Sequence, residues 1–182
     1  WKEGLVRPSD GEWIPGLYYF YLNYSPIWVN VEVKTQNKSK AKVKGDRKRR
    51  FPDVYLGDYM FFHYLRQARE SGAHGKMLKS RGIGASFKFG AITPCTMYTE
   101  PGLPCFHLAS DKTFLEGDKG VFGKVTDVLD WVGENTPLPR LRLVDKPLEK
   151  QIGYKDEYGA RQGLKSSVFG ISMKDNPDKA RG

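Results

Sequence analysis

The chain has 182 residues, of which 39% are hydrophobic and 13% aromatic, enough for one globular domain with a core and too much for a wholly disordered chain. Thirty basic against 21 acidic side chains leave a formal charge of +9, which favours a polyanionic partner such as nucleic acid or a nucleotide. No apolar run approaches about 18 residues and no signal pattern opens the chain, which disfavours membrane insertion and secretion. Cys95 and Cys105 form no CxxC pair and have no histidine at ligand spacing, so neither a disulfide framework nor a zinc site is expected.

The amino-terminal part of the chain is rich in aromatic and turn-forming residues. Pro15 and Gly16 interrupt it, and residues 17–24, LYYFYLNY, are rich in strand-forming side chains. Residues 27–33 largely alternate between apolar and polar side chains. We therefore expect one strand at 17–24 and a second at 27–33.

The next segment, KTQNKSKAKVKGDRKRR, is a block of basic side chains opposed only by Asp46. Such a charge density cannot be buried, so residues 34–50 are expected to form a loop or hairpin, with residues 35–50 mobile or exposed to solvent. The block is either a solvated surface segment or a contact to the DNA backbone, because a polyanion would relieve the repulsion between its charges. The candidate DNA-binding residues are Lys40, Lys42, Lys44, Arg47, Lys48, Arg49 and Arg50.

From Asp58 onward the periodicity becomes helical. Phe61, Leu65 and Ala68 recur at steps of three and four, which predicts a helix with one face on a core. Asp58 can cap its amino terminus and Gly72 can end it. After a turn, KMLKS predicts a brief strand, a glycine-containing loop follows, and SFKFGAI can open a second helix.

This loop resembles a phosphate-binding loop with its lysine displaced. The pattern GxxxxGK[ST], laid over KSRGIGAS at residues 79–86, finds its second glycine at Gly84 and its hydroxyl at Ser86. Lys79 stands in the position of the first glycine, and Ala85 stands in the position of the lysine. The motif as usually written therefore fails.

The physical requirements of phosphate binding can still be met. They are small residues whose backbone N–H groups converge on the anion, a cation that reaches the phosphates, and a hydroxyl for Mg²⁺. Lys79 can fold back over the phosphates from the front of the loop, and Lys88, one turn into the helix, is a second candidate. The alternative is a basic surface turn without a ligand.

The loop, with its lysine in front, an arginine before the glycine and a serine after Ala85, resembles the deviant Walker A segment of the large terminase subunits of tailed bacteriophages. Those proteins are the ATPases that drive DNA into procapsids. The stretch from PCTMYTEPGLPCFHL to VDKPLEK matches no motif of the family. Three other stretches resemble the family in the same order, the last of them like the segment before its Walker B strand: IPGLYYFYLNYSPI, FPDVYLGDYMFFHYLRQARESG and SSVFGISMKDNPDKARG.

The resemblance implies an α/β fold of the phosphate-loop NTPase type, a mainly parallel sheet flanked by helices, that binds ATP and Mg²⁺. Lys79 would be the phosphate-binding lysine, Gly82 and Gly84 the glycines of close approach, and Ser86 the Mg²⁺ ligand. Arg81 would be catalytic, acting on the γ-phosphate from within the same subunit. The loop residues implied to contact the nucleotide are Lys79, Ser80, Gly82, Ile83, Gly84, Ala85, Ser86 and Lys88.

Further expectations follow from the same resemblance. Tyr21 or Tyr24 would stack on the adenine base, whereas the alternative for both is packing in the core. The implied partners are double-stranded DNA, the small terminase subunit, the portal protein and further copies of the chain in a ring. The expected location is the host cell cytoplasm, transiently at the portal vertex of the procapsid, with no membrane partner.

A phosphate-loop ATPase needs an acidic pair directly after a buried strand, and the sequence has none in that position. No apolar run ends in Asp-Glu; Asp145 in RLRLVDK is followed by lysine, and DVLDWV predicts a helix. The resemblance implies that this motif begins beyond Gly182, with a nuclease domain further on. Residues 1–182 are thus expected to be the first part of one ATPase domain, incomplete at its carboxyl end and inactive alone.

Two other function classes compete with this interpretation. In a non-enzymatic nucleic-acid-binding module, the lysine block and exposed tyrosines would carry the contacts and the glycine loop would be a mere turn. An ATPase instead predicts a strand ending at Ser80 and residues 82–86 curled at a helix amino terminus. An unrelated metabolic α/β enzyme finds no support, since no paired carboxylates or nucleophile–histidine arrangement is present.

Overall fold

The computed structural model describes residues 2–30, 47–80, 82–117, 119–139 and 141–174. Within these ranges helices flank a mixed four-stranded sheet. None of these helices has the length and apolar character needed to cross a membrane. The helices are α1 (Gly16–Tyr24), α2 (Leu56–Glu70), α3 (Ala85–Thr99) and α4 (Val121–Asn135), with a 3-10 turn at Lys112–Phe114. The strands are β1 (Gly4–Val6), β2 (Trp13–Pro15), β3 (Ile27–Asn30), β4 (Arg47–Arg50), β5 (Pro104–Ala109), β6 (Arg142–Lys146), β7 (Glu149–Ile152), β8 (Tyr154–Lys155), β9 (Arg161–Gln162) and β10 (Ser167–Ser172).

The central sheet has the strand order β5-β10-β7-β6. Only β5 and β10 pair in parallel, while β10 with β7 and β7 with β6 are antiparallel. The expectation of a mainly parallel sheet is therefore wrong. Pro147 and Leu148 alone separate β6 from β7, and so short a connection can join only antiparallel strands.

The strand predicted at the aromatic run is also wrong, because the run forms α1. Tyr18 and Tyr21 both contact Phe62, with ring centroids 5.2 and 5.3 Å apart. Phe20 and Tyr24 stack on each other with centroids 5.2 Å apart. Spacings of three and four residues put each pair on one helical face, so packing overrides the strand preference of aromatic side chains.

The helix predicted from Asp58 is confirmed as α2, although it begins before that residue. Asp58 does not cap it, because the side chain is buried and forms an ion pair with a lysine of α3. Gly72 ends the helix with a φ of 64°. The N–H groups of Gly72 and Ala73 donate to the carbonyls of Arg69 and Ala68 at 3.2 and 2.8 Å, as in a Schellman motif.

The brief strand predicted for KMLKS is wrong, since residues 73–80 have no regular secondary structure. The side chain of Leu78 is fully exposed, so no sheet surface covers it. The backbone N–H of Lys76 donates to the hydroxyl of Tyr64 on α2, at 2.8 Å. An irregular segment held by α2 therefore leads into the glycine loop.

Strand β3 confirms the first part of the strand predicted at 27–33, and β4 pairs with it antiparallel. All four basic residues of β4 are exposed, as expected from their charge. The remainder of the basic block, including Lys40, Lys42 and Lys44, lies outside the described residues.

Helix α3 lies at the centre of the molecule. It contributes Ala91, Cys95 and Met97 to three different buried clusters. Gly90 lets α3 approach α4 closely, since a Cβ atom there would lie 2.6 Å from the Cβ atom of Lys124. Because α3 is packed on several sides, the end of the loop that joins it is held in a fixed position.

Candidate functional site

The glycine loop turns into α3 through two residues with left-handed backbone conformation. Gly82 has a φ of 91°, and Gly84, the residue that precedes the helix, has a φ of 69°. No atom in the part of the chain that the structure describes lies within 4 Å of a Cβ atom built at either position. The two glycines are therefore required for backbone conformation, since side-chain-bearing residues seldom adopt such angles.

A run of backbone donors is available at this turn. The N–H groups of residues 82–86 make no hydrogen bond to any part of the chain that the structure describes. The N–H groups of Phe87 and Lys88 are the first to bond, both to the carbonyl of Gly84, at 3.0 and 3.2 Å. Free donors and the positive end of a helix dipole together favour an anion at this point. The predicted helix after the loop is confirmed, whereas the strand before it is not observed.

An open cleft of about 690 Å³ lies against this turn. Lys79, which is exposed, lines it from the front of the loop, and Ser86 lines it from the first turn of α3. The opposite wall is formed by residues 107–109 of β5 together with Phe114 and Leu115. The described residues that line the cleft include no carboxylate, so its charge is positive.

Lys88 lies behind the loop and not in the cleft. Its side chain is 4% exposed, and its Nζ lies 2.5 Å from Oδ1 of Asp58. The same Nζ donates to the carbonyl of Ile83 at 2.8 Å and lies 5.5 Å from the centroid of the Phe61 ring. Lys88 thus ties the loop to α2, and Lys79 is the cation that faces the space where a ligand would bind.

His107 also lines the cleft, and the sequence analysis did not identify it as a site residue. Its Nε2 lies 2.8 Å from Oγ1 of Thr93 on α3, and its ring meets the ring of Phe122 edge-on at 5.7 Å. Burial lowers the pKa of His107, which keeps the imidazole neutral near pH 7. The sequence of β5, PCFHLA, does not alternate between polar and apolar side chains, and the contact to Thr93 depends on the tertiary fold, so no local pattern could have found His107.

Ser86 fits one ligand position of a Mg²⁺ ion. Its hydroxyl is exposed at the start of α3 and lies in the same cleft as Lys79. Among the described residues, no group of three or more histidine, cysteine or acidic side chains could hold a metal. A Mg²⁺ ion here would therefore take its other oxygen ligands from phosphate and water, as that ion commonly does.

The remaining predicted site residues lie in different parts of the structure. Ser80 is exposed next to the loop, and Ile83 contributes its carbonyl to Lys88. Tyr21 is buried in the core, where burial raises its pKa, and Tyr24 packs against Trp131, so neither lines the cleft. Arg81 lies outside the described residues.

The basic strand β4 and its neighbour β3 are both hydrogen-bonded to α4. Nε1 of Trp28 donates to Oδ2 of Asp127 at 3.2 Å, and Arg49 donates to the carbonyl of Asp127 at 3.1 Å. Arg49 also lies 5.8 Å from the centroid of the Trp28 ring. Burial raises the pKa of Asp127, although the Trp28 bond and the nearby Arg49 oppose this. Strands β3 and β4, which we call the basic hairpin, are thus hydrogen-bonded to α4, the helix that packs on α3.

Comparison of the chain with protein-family models, with curated proteins and with solved structures found no match.

Proposed function

We propose that this chain is the ATP-binding part of a viral DNA-packaging motor, the large terminase subunit. The observation that carries the proposal is the run of N–H groups at residues 82–86 that have no acceptor among the described residues. They lie at the start of a 15-residue helix, in one cleft with Lys79 and Ser86. These groups are the donors, the cation and the hydroxyl that a triphosphate with Mg²⁺ requires. The ordinary lysine position is occupied by Ala85, which is buried, so Lys79 supplies the charge.

The wider functions follow from the same proposal. The whole protein hydrolyses ATP and uses the energy to move double-stranded DNA into a procapsid. Its partners are the small terminase subunit, the portal protein and further copies of the chain in a ring. It works in the host cell cytoplasm and transiently at the portal vertex.

The direct test is ATP binding by the full-length protein, measured by calorimetry. Lys79→Ala is expected to weaken ATP binding by roughly tenfold to a hundredfold, because a charge-assisted contact is worth about 1.5–3 kcal/mol. Lys76→Ala is the matched control, since Lys76 is also exposed but does not line the cleft. Equal ATP affinity in the two variants would remove the basis of the proposal.

The rate of ATP hydrolysis distinguishes the proposed role of Arg81 from that of Lys79. Arg81→Ala is expected to leave ATP affinity within a few-fold while lowering turnover by about 10³, as for an arginine that acts on the γ-phosphate during transfer. A parallel loss of affinity and turnover would place Arg81 in ground-state binding instead.

The second candidate is a nucleic-acid-binding module without ATPase activity. It is favoured by β4, whose four consecutive basic residues are all exposed. The module predicts salt-sensitive DNA binding without any ATP binding, and it predicts that Lys79→Ala acts only on DNA affinity. ATP binding that depends on Lys79 decides between the two.

A further inference from the structure

A second, smaller cleft of about 260 Å³ adjoins the first one. Ser86 and Phe87, at the start of α3, line both clefts. The far wall of the second cleft comes from the basic hairpin, with Trp28 on β3 and Arg47 on β4. A ligand at the start of α3 therefore faces the loop on one side and the hairpin on the other.

The basic residues of β4 divide between two faces. Successive side chains of a strand point to opposite sides, so Arg47 and Arg49 share one face and Lys48 and Arg50 share the other. Arg49 contacts α4, which places the first face towards the body of the protein, and Arg47 accordingly lines the second cleft. Arg50 pairs with Asp53 on the other face.

The second cleft carries excess positive charge. Among the described residues, its charged side chains are Arg47, Lys119 and Lys124 against Asp127. Lys124 donates to the carbonyls of Lys119 and Gly120 at 3.1 and 3.2 Å, and Asp127 accepts from Trp28. The side chains of Arg47 and Lys119 make no hydrogen bond or ion pair with any of the described residues. Arg47 and Lys119 thus line the same cleft as Ser86 and form no ion pair with a described residue.

We infer that Arg47, assisted by Lys119, contacts the phosphate chain of the nucleotide bound at the glycine loop. This inference rests on the proposed function and adds a contact from outside the loop. A guanidinium can bind phosphate oxygens through two parallel N–H groups, and the cleft lies on the side of Ser86 that faces the hairpin. Arg47 therefore belongs to the nucleotide site, whereas Lys48, on the opposite face, remains available for DNA.

The test compares Arg47→Ala with Lys48→Ala, two adjacent residues of one exposed strand that face opposite ways. Affinities for ATP and for inorganic triphosphate are measured on the full-length protein by calorimetry, with the thermal transition as a control for folding. Arg47→Ala is expected to weaken both ligands at least about tenfold, and Lys48→Ala to leave both unchanged. Arg47→Lys, which keeps the charge but loses the planar fork, is expected to fall between the wild type and Arg47→Ala.

The outcomes separate this inference from the proposed function. If Lys79→Ala weakens ATP binding and Arg47→Ala does not, the inference is overturned and the proposed function stands. If neither variant weakens ATP binding, both are overturned. A loss for ATP with none for inorganic triphosphate would place Arg47 against the base or ribose and overturn the phosphate contact.

Discussion

Lys88 of α3 and Asp58 of α2 form a buried ion pair, and the ammonium group of Lys88 also donates to the carbonyl of Ile83 in the glycine loop. The pair joins the helix before the loop to the helix after it. A single charged contact therefore links the packing of two helices to the shape of the candidate anion site.

Removing one partner of this pair is expected to be costly. Lys88→Ala leaves the Asp58 carboxylate, whose side chain is 10% exposed, without its counter-charge, and should lower the free energy of unfolding by about 3–5 kcal/mol. The combination of Lys88→Met with Asp58→Leu should recover most of the loss, because no unpaired charge remains buried. Urea denaturation measures both.

The exposed pair of Arg66 and Glu70 on α2 is the control. Glu70→Ala should change the free energy of unfolding by less than about 1 kcal/mol, since exposed pairs contribute little. A cost for Lys88→Ala no larger than that of Glu70→Ala would show that the buried pair does not support the fold.

Gly84→Ala is expected to affect both stability and ligand binding. Its φ of 69° is unfavourable for alanine by about 1–2 kcal/mol, and relaxation of that strain would turn the free N–H groups away from the cleft. Gly57→Ala, in α2, has open space and no positive φ, so it should stabilise by about 0.5–1 kcal/mol. Thermal unfolding and ATP calorimetry on the two variants give the comparison; equal effects would argue against a specific role for the Gly84 conformation.

Helical periodicity made part of this structure predictable. Phe61 and Leu65 indicated α2, and DVLDWV indicated α4, because spacing along one face survives whatever lies opposite. The aromatic run of α1 was wrongly predicted as a strand because its side chains favour strands locally. The residues that it packs against, such as Phe62, lie far along the chain. The sequence suggests Asp58 as a helix cap because it does not show that Lys88 is the neighbour of Asp58.

In the candidate site, too, some residues could be predicted from the sequence and others could not. The loop residues Lys79, Gly84 and Ser86 could be named from local order alone, since one short segment supplies them. His107 and Arg47 come to the site from β5 and β4, and no local pattern reports such an approach. The burial of Ala85 could not be foreseen either, and it changes what a motif-restoring substitution would do.

Ala85→Lys places a lysine at the position where the usual phosphate-binding motif has one. Ala85 lines the cleft but is only 6% exposed, so a lysine there would displace part of the packing around it and should destabilise the protein by about 1–3 kcal/mol. It should not rescue ATP binding in Lys79→Ala. Met60→Lys, at a position 61% exposed on α2, is the control and should stay within about 0.5 kcal/mol. Restored ATP affinity in the double variant would show that a lysine side chain introduced by Ala85→Lys can reach the ligand in the cleft.

His107 predicts a pH dependence of stability. Burial lowers its pKa in the folded state below the ordinary value of 6.5, so the unfolded chain takes up the proton first as the pH falls. The free energy of unfolding should therefore decrease from about pH 7 downward, by up to about 1.4 kcal/mol per pH unit, until the pH lies below the folded pKa. Urea titrations at pH 7.5 and 5.5 measure the slope. His107→Gln should remove this part of it, and an identical slope in the variant would assign the effect to other groups.

Duplex DNA binding by the full-length protein is expected to depend steeply on salt and little on sequence, because lysine and arginine side chains of the hairpin address phosphates. Lys48→Ala should lower the slope of log K against log salt by about 1, since one phosphate contact and its released counterion are lost. Arg47→Ala should leave that slope nearly unchanged, because Arg47 lines the cleft beside Ser86. Fluorescence anisotropy at several salt concentrations measures both. Salt-independent binding would contradict a phosphate contact by the hairpin, and a slope lowered equally by both variants would mean that the two faces of β4 are not functionally distinct.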